Sequence, residues 1–271
     1  MGRRLPGQQS ELIGRESEVE SVVALLRDPA THLITLTGPG GVGKTRLSLA
    51  VADRATGLFP GGVWFVSLAT VETTKLVLPE IASELGVRDP EGDETIARIA
   101  ERLGALPTMI VLDNLEHVIA VAPEVARLLQ TAPSLKIMST SREPLMVRGE
   151  IAYPVHPLPT EPGEGDELSA AERLFVTCAA EASFGFGATK ESIESIREIC
   201  RHLGGSRWLS SSPPPGSRYC HLSDSWQIST GSSMSWCVVP VICRPDNRRC
   251  VPPSNGAIAC SMTISRHCSV L

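Results

Sequence analysis

The chain has 271 residues, a formal net charge of −5, and 42% apolar against 20% charged residues, a length that suits one large domain or two small ones. No apolar run reaches the length of a membrane span, and MGRRLPGQQS at the start lacks the apolar stretch of a signal peptide. The expected location is therefore the cytoplasm with no membrane partner, and the acidic balance argues against a surface built mainly for nucleic acid.

In chain order, residues 1–10 read as an N-terminal tail. Glu16 to Leu26 carries Val19, Val22, Val23 and Leu26 at helical spacing. Leu33 to Thr37, LITLT, has the pattern of a buried strand. It runs into GPGGVGKT at 38–45, and Lys44 to Ala55 beyond is helix-like, with Leu47, Ala50 and Val51 inward. Val63 to Leu68 reads as a second strand, and Thr74 to Leu85 and Glu94 to Leu103 as helices. Thr108 to Asp113 is a third strand, Glu116 to Gln130 a helix, and Leu135 to Ser141 a fourth strand. Gly149 to Pro159 is a short strand with a Pro-limited connector, and EPGEGDE, Glu161 to Glu167, is a linker by composition. Leu168 to Phe184 and Glu191 to Leu203 are two further helices, and Gly204 suits the C-terminal cap of the second. Near-continuous apolar strands alternating with helices predict an α/β fold, a parallel sheet covered on both faces. The expected division is a nucleotide-binding domain over 11–160 and the start of a helical lid over 161–205.

The run at 38–45 fits G-x-x-x-x-G-K-[ST] in full, between a strand and a helix, which is the phosphate-binding loop of P-loop NTPases. Gly38, Gly40, Gly41 and Gly43 let the backbone take conformations closed to other residues, so that several N–H groups can face one phosphate. Lys44 adds a mobile positive charge for the β- and γ-phosphates, Thr45 offers a hydroxyl to Mg²⁺, and the helix N-terminus faces the same anion. The expected nucleotide-binding set in this stretch is Gly38, Pro39, Gly40, Gly41, Val42, Gly43, Lys44, Thr45 and Arg46. The competing reading is a Gly-rich turn between strand and helix.

Ligands of open parallel sheets bind beyond the carboxyl ends of the strands. Asp113 ends the apolar run Met109 to Leu112, where a rigid strand can deliver one carboxylate to magnesium; alternatively it caps the next helix. Glu116 is the nearest acid able to orient an attacking water, or else a first-turn helix acid favoured by the dipole. Asn114 occupies the place of a second acid, which weakens the case for fast hydrolysis. His117 reads as a surface or packing histidine. Arg142 directly follows the fourth strand and can read a γ-phosphate; its plain alternative is an exposed loop arginine. Ser141 is a supporting polar neighbour.

Composition changes abruptly after Gly205. From Ser206 there is no Glu and no Lys, and the charges go from 19 basic and 28 acidic residues before it to 6 and 2 after it. Six of the eight cysteines lie there, Cys220, Cys237, Cys243, Cys250, Cys260 and Cys268. No C-x₂₋₄-C pair occurs among them, which disfavours zinc, and a disulfide framework fits a cytosolic ATP-binding chain poorly. Codons for SRWLSSSPPP, Ser206 to Pro215, can be written so that a frame borrowing the last C of a GGC codon for Gly205 reads LPLAIELAAA. In the same shifted phase CVPPSNGA, Cys250 to Ala257, can read LRAAIEWS. The expectation is one missing base near codon 205 and an out-of-frame tail over 206–271, against the alternative of a Ser/Pro-rich disordered tail.

Five segments in order carry a resemblance: ELIGRESEV at Glu11 to Val19, TGPGGVGKTRLSLAVA at Thr37 to Ala52, IVLDNLEHV at Ile110 to Val118, STSREPL at Ser139 to Leu145 and GEIAYPVHPLP at Gly149 to Pro159. Together they resemble the NB-ARC type of STAND ATPases, in particular the large bacterial transcriptional regulators with helical repeats and a LuxR-type helix-turn-helix. The resemblance covers about residues 10–205. It implies that Ile13, Gly14 and Arg15 of the IGRE segment lie against adenine, and that Arg142 is the arginine after the sensor strand. The implied catalytic set is Lys44, Asp113, Glu116 and Arg142, with Thr45 and Asp113 on magnesium. It also implies an ATP/ADP switch with slow hydrolysis, self-association through the ATPase module, and DNA contact only through domains missing from these residues. The family's GLPL motif is broken here, since Gly204 and Gly205 are followed by Ser206 and Arg207; the shifted frame restores it. The rival readings are a P-loop kinase or other phosphotransferase, a non-hydrolysing nucleotide-binding interaction module, and the remnant of a broken gene.

Overall fold

The computed structural model describes residues 3–6, 12–87, 94–182, 190–202 and 204. All of them fall in the first of two compact units, 1–212, and the second, 213–271, lies outside the described residues. The segment from Ser206 to Leu271, read above as out of frame, is outside them as well.

Among the described residues six strands make one sheet: β1 (Arg3–Arg4), β2 (Leu33–Thr37), β3 (Gly62–Ser67), β4 (Thr108–Asp113), β5 (Leu135–Ser141) and β6 (Glu150–Pro154). Their order is β1-β3-β4-β5-β2-β6 and every pairing is parallel. The helices are α1 (Glu16–Arg27), α2 (Lys44–Ala55), α3 (Val77–Glu84), α4 (Thr95–Leu103), α5 (Ala122–Thr131), α6 (Ala170–Ala182) and α7 (Lys190–His202). The expected α/β architecture is the one observed.

Successive strand residues face opposite sides, and here both sides are apolar. Ile34, Leu36, Met109, Val111 and Met138 pack under α1 and α2, against Val22, Leu26, Leu47 and Val51. Leu33, Ile110, Leu112, Leu135 and Ile137 pack on the other face, under α3, α4 and α5, against Ile81, Ile99, Val125 and Leu128. A strand buried on both faces must be apolar at consecutive positions, which is why MIVL and LITL stand out as runs rather than alternations.

Three local expectations are corrected. Arg3–Arg4, within the expected tail, adds a short parallel strand beside Val63 and Trp64 of β3. The expected helix from Thr74 opens instead with a 3₁₀ turn at Thr74–Leu76, and α3 begins at Val77. The helix expected from Glu116 starts only at Ala122; Leu115–His117 and Ile119–Val121 before it are 3₁₀ turns. Pro123 explains the late start, since a proline is accommodated in the first helical turn and not deeper.

After β6 the chain runs through Val155 to Pro159 toward α6. Ser169 and Glu172 form a reciprocal capping box there: the Ser169 N–H donates to Glu172 Oε2 at 2.8 Å and the Glu172 N–H to Ser169 Oγ at 3.2 Å. Glu172 is fully buried, and its other oxygen accepts from Arg197 Nε of α7 at 2.8 Å. Leu158, Ala170, Ala171, Leu174, Ile196 and Cys200 form the apolar seam of this helical pair. The N–H of Gly204, at φ +55°, donates to the Arg201 carbonyl at 3.1 Å and closes α7 as expected.

Candidate nucleotide site

Strand register brings the polar residues together. Thr37 at the end of β2 is opposite Ser141 at the end of β5, and Leu112 of β4 is opposite Ser139. The carboxyl ends of β2, β5 and β4 therefore align, with β5 between the phosphate loop and Asp113. Gly38 opens the loop at φ +149°, and a Cβ there would lie 2.6 Å from the Val155 carbonyl oxygen. The Val155 N–H in turn donates to the Thr37 carbonyl at 2.7 Å. Only glycine fits where the loop leaves the sheet this close to the β6 exit.

Asp113 is buried, and its Oδ1 accepts two hydroxyl hydrogen bonds at 2.7 Å, from Thr45 Oγ1 and from Thr140 Oγ1. Thr140 Oγ1 also accepts the Asn114 N–H at 2.9 Å, where Asn114 sits in the left-handed region at φ +69°. Asp113 thus spends its oxygen on the loop threonine and on Thr140 of β5 rather than on a helix cap. Thr140 was not singled out from the sequence: in the string STS, nothing but sheet register says which hydroxyl turns toward Asp113. Ser139 instead bonds Thr35 inside the sheet at 2.8 Å, and Ser141 Oγ accepts the Glu143 N–H at 3.2 Å.

Lys44 folds over its own loop, with Nζ donating to the Gly38 carbonyl at 2.9 Å and the Pro39 carbonyl at 3.0 Å. Burial pushes its pKa below the usual lysine value and the Arg142 charge adds to this; Glu116 and Asp113 oppose them. Those four charges therefore share one small region. Arg142 Nε pairs with Glu116 Oε1 at 3.3 Å, with the arginine exposed and the glutamate largely covered. The guanidinium also stands over the loop, 3.6 Å from where a Cβ on Gly40 would be. Glu116 Oε2 is buried with no hydrogen-bond partner among the described residues. It lies in the first turn of the 3₁₀ helix Leu115–His117 and not in the α-helix expected from Glu116, which starts at Ala122. His117 is exposed, as expected.

The remaining expected contacts divide. Arg15 is almost wholly buried and reaches the loop carbonyl of Val42, while Ile13 packs into the seam of the helical pair. A Cβ on Gly14, at φ +68°, would be 2.5 Å from Ala170 Cβ, so this glycine lets the N-terminal segment lie on the start of α6. Arg46 stands on α2 close enough for its charge to act on the Cys178 thiol of α6, whose pKa burial and Glu181 raise. Pro39 and Gly40 are exposed on the rim of the loop. The donor set at Thr45 and Asp113, a hydroxyl and a carboxylate oxygen 2.7 Å apart, is the hard-oxygen pair that suits Mg²⁺.

Comparison with known proteins bears on the fold and the domain. Residues 29–145 match the family model described as AAA domain. A Mycobacterium tuberculosis protein named as an HTH-type transcriptional regulator is 36% identical over 175 residues, covering 64% of this chain and 19% of that protein. An uncharacterized Mycobacterium tuberculosis protein is 32% identical over 197 residues, covering 72% of this chain and 48% of its own length. The chain thus spans from a fifth to about half of these relatives. Among solved structures, Cdc6p from Pyrobaculum aerophilum superposes with a TM-score of 0.54 at 18% identity, over 72% of this chain and 57% of that one. The core of this chain has the P-loop NTPase fold, its residues 29–145 are similar to the AAA domain, and it is similar to proteins named as transcriptional regulators.

Proposed function

We propose that the chain binds ATP and ADP with Mg²⁺ and serves as the nucleotide-dependent switch of a transcriptional regulator, of the NB-ARC type of STAND ATPases. The observation that carries this reading is the convergence of Lys44, Thr45, Asp113, Glu116 and Arg142 at the aligned strand ends. The loop amides and Lys44 would hold the β- and γ-phosphates, with Lys44 exchanging its two carbonyl partners for phosphate oxygens. Thr45 and Asp113 would hold Mg²⁺, which when bound neutralises developing charge on the phosphates. Thr140 keeps the Asp113 carboxylate turned toward Thr45 by donating to the same oxygen. Arg142, poised over Gly40, would leave Glu116 for a γ-phosphate, and Glu116 would then orient water with its unpaired oxygen.

Regulator-named relatives and the motif order support the switch reading, together with contacts that run from the phosphate loop to the helical pair. Slow turnover fits Asn114 standing in place of a second acid. Calorimetry with ATP and Mg²⁺ tests the reading. Lys44→Ala should weaken binding about ten- to a hundredfold, the loss of one charge-assisted contact. Equal affinity of Lys44→Ala and the parent would remove the phosphate loop from the site.

A further inference from the structure

Arg15, implied above to lie against adenine, carries a buried guanidinium to which the phosphate and magnesium roles assign nothing. It is 4% exposed, and a buried cation persists only where its donors are matched. Its Nη1 donates to Glu18 Oε1 at 2.8 Å. Its Nη2 donates to two carbonyls from opposite parts of the chain, Val42 at 3.0 Å and His156 at 2.6 Å. One nitrogen therefore joins the phosphate loop to the connector that leaves β6.

The two carbonyls are informative because of what lies across each peptide. In a trans peptide the C=O and the following N–H point in opposite directions. Fixing the Val42 oxygen against Arg15 thus turns the Gly43 N–H away from Arg15, and the guanidinium charge makes that N–H a stronger donor. The His156 carbonyl precedes Pro157 and has no N–H across it, so the grip on this oxygen is a grip on the chain direction alone. From there Leu158 packs beside Ala170 and Ile13, and the Pro159 carbonyl accepts the Ala171 N–H at 3.1 Å. A continuous set of contacts runs from the Gly43 amide through Arg15 to the first turn of α6.

We propose that Arg15 is a positioning residue that presets the phosphate loop and ties its occupancy to the position of α6. This rests on the nucleotide reading above. A planar fork is needed, because these three acceptors are reached from two separate guanidinium nitrogens, which a single ammonium does not provide. Arg15→Lys keeps the charge and loses the fork, so it separates geometry from electrostatics.

The test uses the full chain, the parent beside Arg15→Lys and Arg15→Ala, with ADP and then ATP plus Mg²⁺. Affinity is read by calorimetry, and exchange of the amides over 157–182 is read at saturating nucleotide. The parent should bind and show slower exchange in α6 on binding. Arg15→Lys should bind about ten- to a hundredfold more weakly and show no α6 response even when saturated. Unchanged affinity in Arg15→Lys, or an unchanged α6 response at saturation, overturns the proposal. Should both variants fail to fold, the parent still decides: nucleotide bound with no change in α6 exchange refutes the link. A parent that binds no nucleotide sinks the functional reading itself, and the inference with it.

Discussion

Lys44 shows how one residue reports its surroundings. Its pKa is lowered first by burial, then by Arg142, against the pull of Glu116 and Asp113. A lysine whose pKa falls on folding binds fewer protons folded than unfolded, so its contribution to stability rises with pH between the lowered value and 10.5. Below that window the cost of keeping the buried ammonium is fully present. Phosphate oxygens would push the pKa back up, so nucleotide binding should take up a proton inside the window, and affinity should fall as pH rises through it. Titration calorimetry at alkaline pH in buffers of differing ionisation enthalpy should show a buffer-dependent heat. The part of that heat due to Lys44 should be absent in Lys44→Ala. A buffer-independent heat at alkaline pH would mean that phosphate does not meet Lys44. The loop and Asp113 were legible from sequence because each is a short local pattern. Thr140 and the two carbonyls on Arg15 were not, because they depend on strand register and on a contact 141 positions away in the chain.

Among the elements, the start of α6 is where the helical pair is fastened. Leu168 was the expected first residue from apolar spacing, whereas the helix begins at Ala170 with Ser169 as its cap. S-x-x-E at Ser169 to Glu172 is a readable capping box, but spacing alone favoured the apolar Leu168 as the start. Ser169→Ala removes the cap and should cost about 1 kcal/mol, seen as an earlier denaturation midpoint and faster exchange of the first-turn amides of α6. Stability equal to the parent would show that the Glu172–Arg197 pair alone fixes this end. The 3₁₀ turns before α5 mark a different limit of pattern reading. Leu115, Val118 and Val121 are all buried and recur at three-residue spacing, which suits a 3₁₀ helix as well as an α-helix. Pro123 decides between them. That displacement frees Glu116 from a regular helix and lets it face Arg142.

At the scale of the whole molecule, the described residues hold the sheet with its aligned strand ends and a helical pair described as far as Gly204. Closure over a nucleotide base needs apolar groups from a lid, and in the proposed family they come from the GLPL segment that Ser206 and Arg207 interrupt here. The seam of Leu158, Ala170, Leu174 and Ile196, with Ile13 against it, is the surface such a segment would extend. Retention of nucleotide should therefore be poor in the 271-residue chain, whose sequence lacks an intact GLPL motif. Restoring one base between the codons for Gly205 and Ser206 should return LPLAIELAAA and slow ADP release by excluding water from the base. Gel filtration of both proteins after loading with ADP gives the comparison: the restored chain should elute with nucleotide and the present chain without it. ADP carried through the column by the present chain would show that nucleotide is held without an intact GLPL motif. The interrupted motif would then be dispensable for holding nucleotide, and its loss would have to act on release of the switch instead.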